Sequence, residues 1–360
     1  MPVHSLSIDQ FRNLTSVSLS CSPHLNLVLG ANAAGKTSIL EALYVIGRAR
    51  SFRTPNLDKA IQSGSEAFQL VAKISLDQGR RIPVGISRRP KHLLARIDGQ
   101  PVRRLSELAA LFPIHWVGGN LHRLLEEGPV YRRQFLDWGL FHVKQSYIPA
   151  WKRFQKLLKQ RNASLRITKT RAEVAAWDNE LALAGEELDV FRRTYVEELR
   201  VIFQHIAAEL LGFGAPPEIR YRRGWSADQS YAESLQASYT RDREQGFTRQ
   251  GPQRADLSFY LENQPVSEVL SRGQQKLLVI ALHVAQASLL RHSSDLSSLF
   301  LIDDLGAELD SANQARIMSL LADLHAQVFA TAIEMPDMSA WKSAETKRFH
   351  VEHGVVTEVL

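Results

Sequence analysis

Apolar and polar positions alternate along the first twenty residues. SLSI (5–8) and SVSLS (16–20) carry the two-residue period of half-buried strands, whereas LNLVL (25–29) is a continuous apolar run of the kind a fully buried strand makes. Beyond residue 37 the period changes: Ile39, Leu40, Leu43 and Ile46 recur three and four apart, which predicts a helix. FQLVAKISL (68–76) returns to alternation and IDGQP (97–101) marks a turn, so residues 68–100 read as further strands. The character shifts again near residue 147. Val174, Trp177, Leu181, Ala184, Leu188, Phe191 and Tyr195, continued by Leu199, Ile202, Ile206 and Leu210, form one stripe at helical spacing. It predicts a long amphipathic helix or a broken pair, packed into a helical lobe because so few heptads do not make an extended coiled coil. GFGAPP (212–217) ends the stripe with strong breakers, and β-like patterning resumes near YLENQPVSEVL (260–270). LLVIALHVAQASLL (277–290) then reads as a buried helix, LFLIDDL (299–305) as a buried strand, and AQVFATAI (326–333), after one more helix, as a last strand. No internal repeat or low-complexity tract interrupts this order.

Composition narrows the class. With 360 residues, 44% hydrophobic and 23% charged, the chain has the size and balance of a globular protein of one large or two ordinary domains. Its single cysteine, Cys21, excludes an intrachain disulfide framework and fits a reducing compartment. MPVHSLSIDQFRN lacks an apolar core of signal-peptide length, and the longest apolar candidate for a span, LLVIAL (277–282), is ended by His283. A cytoplasmic protein without membrane association is expected. The net charge of +6 is unevenly spread: residues 151–171 hold eight Lys or Arg (152, 153, 156, 159, 161, 166, 169, 171) and no acid. Arg88, Arg89, Lys91, Arg96, Arg103 and Arg104 form a second cluster in a β region. Each cluster suits either a polyanion or a solvated face.

Chemistry enters with GANAAGKTS (30–38), which satisfies G-x-x-x-x-G-K-[ST] between a buried strand and a helix. Glycine lets the backbone bend toward a polyphosphate, lysine meets the β and γ oxygens, and the hydroxyl meets Mg²⁺. Gly30, Ala31, Asn32, Ala33, Ala34, Gly35, Lys36 and Thr37 are therefore the expected nucleotide-binding residues, with N–H groups of a helix N-terminus aimed at the ligand. SRGQQK (271–276) precedes the buried helix and reads either as a second anion-binding helix start or as an N-cap serine on a core helix. Asp303 and Asp304 end a buried strand, where paired acids need a cationic partner; Mg²⁺ with a phosphate is the natural one. Arg48, Arg50 and Arg53 can equally reach phosphates or complement a helix C-terminus.

The phosphate loop, SxGQ and hydrophobic-DD in this order resemble the ABC-type ATPase heads of chromosome-maintenance and DNA-repair proteins. FRNL (11–14), GANAAGKTSILEALY (30–44), SFRT (51–54), GPVYRRQFLDWGLFH (128–142), LLKQRNASL (157–165), SRGQQK and LIDDLGAELD (301–310) narrow the resemblance to the RecF family of bacterial recombinational repair. The resemblance implies an α/β fold: an ABC-type head with a phosphate loop and mixed sheets over 1–122 and 213–360, and an inserted helical lobe over 123–212. It implies ATP and Mg²⁺ as cofactors, an ATP-dependent homodimer, weak ATPase activity and binding to single-stranded or gapped DNA. Cooperation with RecO and RecR in loading RecA, replication restart and SOS induction are implied likewise. By motif matching, Thr37 and Asp303 would hold Mg²⁺ and Asp304 would orient the attacking water. Ser271 and Gly273 would meet the γ-phosphate held by the other subunit.

Three segments depart from the pattern. His115 in FPIHWVGGN (112–120) stands where ABC heads carry glutamine, and Thr331 and Ala332 stand where transporters carry a switch histidine. Gln253 and Ala255 in GPQRADL (251–257) replace His and Asp. A kinase or GTPase would leave SRGQQK unexplained and lacks N-K-x-D, and a transporter subunit would want the histidine. A non-hydrolysing, ATP-locked DNA scaffold stays open beside the ATPase.

Overall fold

The computed structural model describes all residues except 1, 77–78, 120, 168–169, 214, 295, 307–308, 337–338, 343–344 and 360. Lys169 of the basic run, Asn120 and the first two residues of AELD thus lie outside the described residues. Contacts divide the chain into two units, Met1–Leu121 with Leu290–Leu360, and His122–Leu289.

The first unit opens with β1 (Val3–Phe11), β2 (Leu14–Ser20), β3 (Leu25–Leu29) and α1 (Lys36–Arg48). It continues through β4 (Phe68–Ser75), β5 (Arg81–Arg89), β6 (His92–Ile97), the two-residue β7 (Gln100–Pro101), α2 (Leu105–Leu111) and β8 (Ile114–Val117). An antiparallel sheet in the order β2-β1-β4-β5-β6-β7 follows from the alternation: Leu6, Ile8, Leu70, Ala72, Val84 and Ile86 are buried on one face. Helix α1 is buried nearly all round, as expected of a helix between two layers rather than on a surface.

The second unit is mostly helical: α3 (Arg123–Glu126), α4 (Pro129–Val143), α5 (Tyr147–Ile167), α6 (Arg171–Ala175) and α7 (Asp178–Leu211). The apolar stripe is therefore a broken pair, with Val174 on the short member and Leu181, Ala184, Leu188, Tyr195, Leu199 and Leu210 buried along the long one. Next come β9 (Glu218–Arg222), α8 (Tyr231–Gln245), β10 (Asp256–Leu261), β11 (Gln264–Pro265), α9 (Val266–Val269) and α10 (Arg272–Ser293). Strands β11-β10-β9 form a small sheet, with β9 packed on α7 and β10 on α4. Gly139 lets α4 approach α7 closely, since a Cβ there would lie 2.0 Å from the Tyr195 hydroxyl.

The second unit runs from His122 to Leu289, so residues 213–289 pack with the helices. Helix α8 and strand β9 of the small sheet pack on α7.

The chain then completes the first unit with β12 (Leu299–Ile302), α11 (Ser311–Asp323), β13 (Gln327–Ala332), β14 (Thr346–Glu352) and β15 (Val355–Val359). AQVFATAI is thus not the last strand: the β14–β15 hairpin follows it. A second six-stranded sheet runs β15-β14-β3-β13-β12-β8, parallel except for β15 at the edge. Its central strands are apolar without alternation because both faces are covered. Helix α1 packs on β1, β4 and β5 of one sheet and on β12 and β13 of the other. The carboxyl ends of β3, β12 and β13 therefore point to one crevice, where open parallel sheets bind ligands.

Candidate nucleotide site

The chain leaves β3 at Gly30, whose φ is +152°. A Cβ there would stand 2.3 Å from the Val351 carbonyl oxygen on β14, so only glycine fits. Ala33 (φ +63°) and Gly35 (φ +122°) complete the loop, and α1 starts at Lys36. Its N-cap, Gly35, supplies no side-chain cap and its first turn has no acid, so the leading N–H groups are left for an anion. Lys36 Nζ donates to the carbonyls of Gly30 (2.8 Å) and Ala31 (2.9 Å), which folds the ammonium under the loop with one N–H to spare.

Across the crevice, Thr37 Oγ1 donates to Asp303 Oδ1 at 2.9 Å. Thr331 Oγ1 donates to the same oxygen at 2.8 Å and accepts the Asp304 N–H at 2.8 Å. Thr331, the residue at the switch-histidine position, therefore ties the two acids to β13. Asp303 N–H donates to the Val117 carbonyl of β8, and Asp304 takes a left-handed φ of +54°, turning the second acid away from the strand path. A carboxylate beside a hydroxyl is a hard oxygen donor pair that suits Mg²⁺. No cluster of three or more His, Cys, Asp or Glu occurs among the described residues, so a divalent cation here would draw its other ligands from phosphate and water.

Arg12 and Asn13, in FRNL, carry no role that the sequence alone assigns, yet both serve this site. Asn13 Nδ2 donates to the Ala34 carbonyl (3.0 Å) and its Oδ1 accepts from Ser38 (3.0 Å), bracing the loop from outside. Arg12 binds the fully buried Glu41 of α1 through Nε (2.9 Å) and Nη2 (2.6 Å), and Ser51 donates to that carboxylate at 2.5 Å. Arg53, about half exposed, faces Glu41 from 3.6 Å. Arg12, Asn13 and Arg53, the phosphate loop, both acids and Thr331 line a cleft of about 530 Å³, within the range of small-molecule sites.

Other candidates sort differently. Arg48 donates to the Ile114 carbonyl at 3.1 Å, and burial lowers its pKa to about 10; it ties the end of α1 to β8 and does not line the cleft. His115 is buried in β8 and stacks on Phe300 with centroids 4.6 Å apart, so it does not line the cleft. Ser271 and Gly273 belong to the second unit. Ser271 is exposed and caps α10: its Oγ accepts the Gln274 N–H (3.3 Å) while Gln274 Oε1 accepts the Ser271 N–H (2.9 Å). The N-cap reading therefore holds within the single chain.

The basic run splits. Lys152, Lys156 and Lys159 are exposed on α5. Arg161 is not a surface cation: it is fully buried, donating to Asp178 (2.7 Å), Asp242 (2.8 Å) and Thr248 (2.8 Å). In the second cluster Arg88 is paired with Asp58 at 2.7 Å, and Arg89, Lys91, Arg96, Arg103 and Arg104 are exposed. No helix among the described residues is long and apolar enough to cross a membrane.

Comparison with known proteins fits this geometry. The family model described as the RecF/RecN/SMC N terminal domain matches residues 2–357. The DNA replication and repair protein RecF of Pseudomonas aeruginosa (strain LESB58) is 42% identical, over 99% of this chain and 98% of that protein. Among solved structures, the recombination mediator protein RecF-ATP in the RecFOR pathway superposes with a TM-score of 0.86 at 22% identity, covering 100% of this chain and 98% of that one. An Smc head bound to the C-winged helix domain of ScpA follows at 0.64 and 16% identity, covering 100% and 97%. The fold is that of RecF and SMC-type ATPase heads.

Proposed function

The chain belongs to the RecF family, within the RecF/RecN/SMC class, and from that premise we propose that it is a cytoplasmic, ATP-dependent DNA-binding ATPase of recombinational repair and replication restart. The observation that supports this most directly is the Thr37–Asp303–Thr331–Asp304 chain of contacts beside the phosphate loop. It brings a hydroxyl and a carboxylate of the kind that suit a divalent cation, with a second acid, to one edge of a cleft large enough for a nucleotide.

Lys36 and the loop N–H groups hold the β- and γ-phosphates. Thr37 and Asp303 would hold Mg²⁺, which when bound supplies charge neutralisation at the phosphate oxygens. Asp304 orients the attacking water and accepts its proton. Positioning and electrostatic stabilisation are the chemistry that phosphoryl transfer asks of a protein. Ser271, capping an exposed helix start, and Gly273 in its first turn approach the γ-phosphate of a second copy, which gives an ATP-dependent homodimer. Single-stranded or gapped DNA is the substrate surface, with RecO and RecR as partners, RecA loading as the outcome and SOS induction downstream. The lobe that begins at 123 is retained as the helical insertion of the head.

Asp304→Asn should keep ATP affinity within about threefold while slowing phosphate release about a hundredfold or more, as loss of a general base does. Phosphate release unchanged in this variant would transfer the role elsewhere, and none in the wild type with or without DNA would leave the non-hydrolysing scaffold.

Ser271→Arg should leave ATP binding by the monomer intact and block dimer closure, whereas Lys36→Met loses the nucleotide. Mixed together, the two variants form dimers with one doubly damaged and one intact composite site. Light scattering at saturating ATP should then recover some dimer. Recovery of none would argue against Ser271 acting across the interface.

A further inference from the structure

Two segments singled out in the sequence, GPVYRRQFLDWGLFH and GPQRADL, take no part in the nucleotide site, yet they meet within the second unit. Arg132 of α4 binds Asp256 through Nε (2.8 Å) and Nη2 (3.1 Å). Arg192 of α7 donates to Asp137 (2.7 Å) and to the Pro252 carbonyl (2.7 Å), and Tyr147 donates to the same Asp137 at 2.6 Å. Both carboxylates are thereby engaged. Arg133 is left with one bond, Nη1 to the Ala255 carbonyl at 2.9 Å, and no ion pair among the described residues. Burial and the neighbouring Arg192 guanidinium push its pKa down, so the two cations stand together at a cost.

They face a cleft of about 260 Å³ whose walls also include Trp151, Gln134, Gln155 and Gln253, the last with its amide nitrogen already given to the Thr248 and Gln250 carbonyls. Two guanidiniums against one carboxylate leave the cleft positively charged. One helical step from Trp151 and Gln155, the exposed Lys152, Lys156 and Lys159 line α5, about 6 Å and 4.5 Å apart along its axis. A lone carboxylate would need Arg133 only; a row of exposed lysines on the same helix suits a polymer of anions. A flat indole with hydrogen-bonding amides suits a base that has left its stack.

We propose that this cleft receives one unstacked nucleotide of single-stranded DNA, its base against Trp151, its edge on the Gln134 and Gln155 amides and its phosphate at Arg133. The inference rests on the DNA-binding reading given above and adds the place in the second unit where a single strand would be held: a base inside a duplex cannot enter.

The test is fluorescence anisotropy with a labelled thymidine 20-mer and a blunt duplex of equal length, across a salt series, for the wild type, Trp151→Ala, Gln155→Ala and Arg133→Gln. ATP affinity and unfolding midpoint are measured alongside as checks on folding. Trp151→Ala should weaken single-strand binding about 5- to 150-fold, the range for losing one base–aromatic stack, and leave the duplex within about twofold. Its log–log salt slope should not change, whereas Arg133→Gln should lessen the slope by about 0.7. Gln155→Ala, at a partly buried position, should weaken the single strand alone by a few-fold. Variants that bind the single strand as the wild type does, or that lose single strand and duplex equally, would overturn the cleft assignment while DNA binding itself stands. A wild type that binds neither DNA overturns both readings. Displacement of polyglutamate, but not of the oligonucleotide, by these substitutions would make it an acidic-peptide site instead.

Discussion

Lys36→Met should weaken ATP binding at least thirtyfold, corresponding to about 2 kcal/mol or more for removing one partner of a buried charge contact. Methionine keeps the length of the side chain and removes the charge with all three donors. The Gly30 and Ala31 carbonyls, now bound at 2.8 and 2.9 Å, lose their partner at the same time, so the loop loses its internal tie as well as its phosphate contact. Arginine does not substitute: a planar fork cannot place one nitrogen between two loop carbonyls and still point a donor at the ligand. Equilibrium binding of a labelled nucleotide reads the effect, with the unfolding midpoint recorded in parallel because Lys36 is buried at the start of a core helix. Wild-type affinity in a folded Lys36→Met protein would remove the loop from the nucleotide site.

Arg161→Met should cost about 3–5 kcal/mol of stability, since it leaves carboxylates buried without their cation. The guanidinium joins α5 to the first turn of α7 through Asp178, and to the end of α8 through Asp242, which also accepts from Ser238 (3.0 Å) and from the Arg249 N–H (3.0 Å). Arg161 and Asp242 have side chains with no exposure at all. Lys156→Gln, on the same helix but in water, should stay within about 0.5 kcal/mol. Urea unfolding of the pair makes the comparison. A loss under about 1 kcal/mol for Arg161→Met would equate the network with an exposed ion pair.

Arg161 also shows why part of this protein is legible in its sequence and part is not. Counted as charge, it belongs to a basic run. Counted by position, it continues Phe154 and Leu158 toward Leu165 at spacings of four, three and four, all of them buried. The period marks the inward face correctly; the residue type argues against it, and the acids that make its burial tolerable lie at 178 and 242. Helix α8 is silent for a related reason. Its buried face includes Ser234, Ser238 and Asp242, so no apolar stripe announces it, although Ser230 and Glu233 form a capping box that could have. The phosphate loop is readable because its strand, turn and helix are contiguous. Thr331 and Asn13 are not, since their roles arise only where distant strands bring them beside Asp303 and Ala34. FHVEHGVVTEV, beyond the strand expected to be last, alternates around a His-Gly turn, and its parallel partner is β3, over three hundred residues earlier in the chain.

That pairing gives the phosphate loop a history. Gly30 is pressed against the Val351 carbonyl, and Ala34 accepts the Gly354 N–H at 3.0 Å, so the walls of the loop are supplied by β14 and the turn beyond it. A ribosome that has just released GANAAGKT has the whole motif and the Asn13 brace outside its tunnel, but none of the cradle that β14 supplies. At about 5–20 residues per second the remaining strands arrive roughly 15–60 s later. Until then the nascent chain carries the lysine and threonine on a turn that β14 does not yet support and cannot take nucleotide as the finished fold does. Competence for ATP is thereby deferred until β14 has been made, which makes nucleotide capture a late event in the protein's own synthesis.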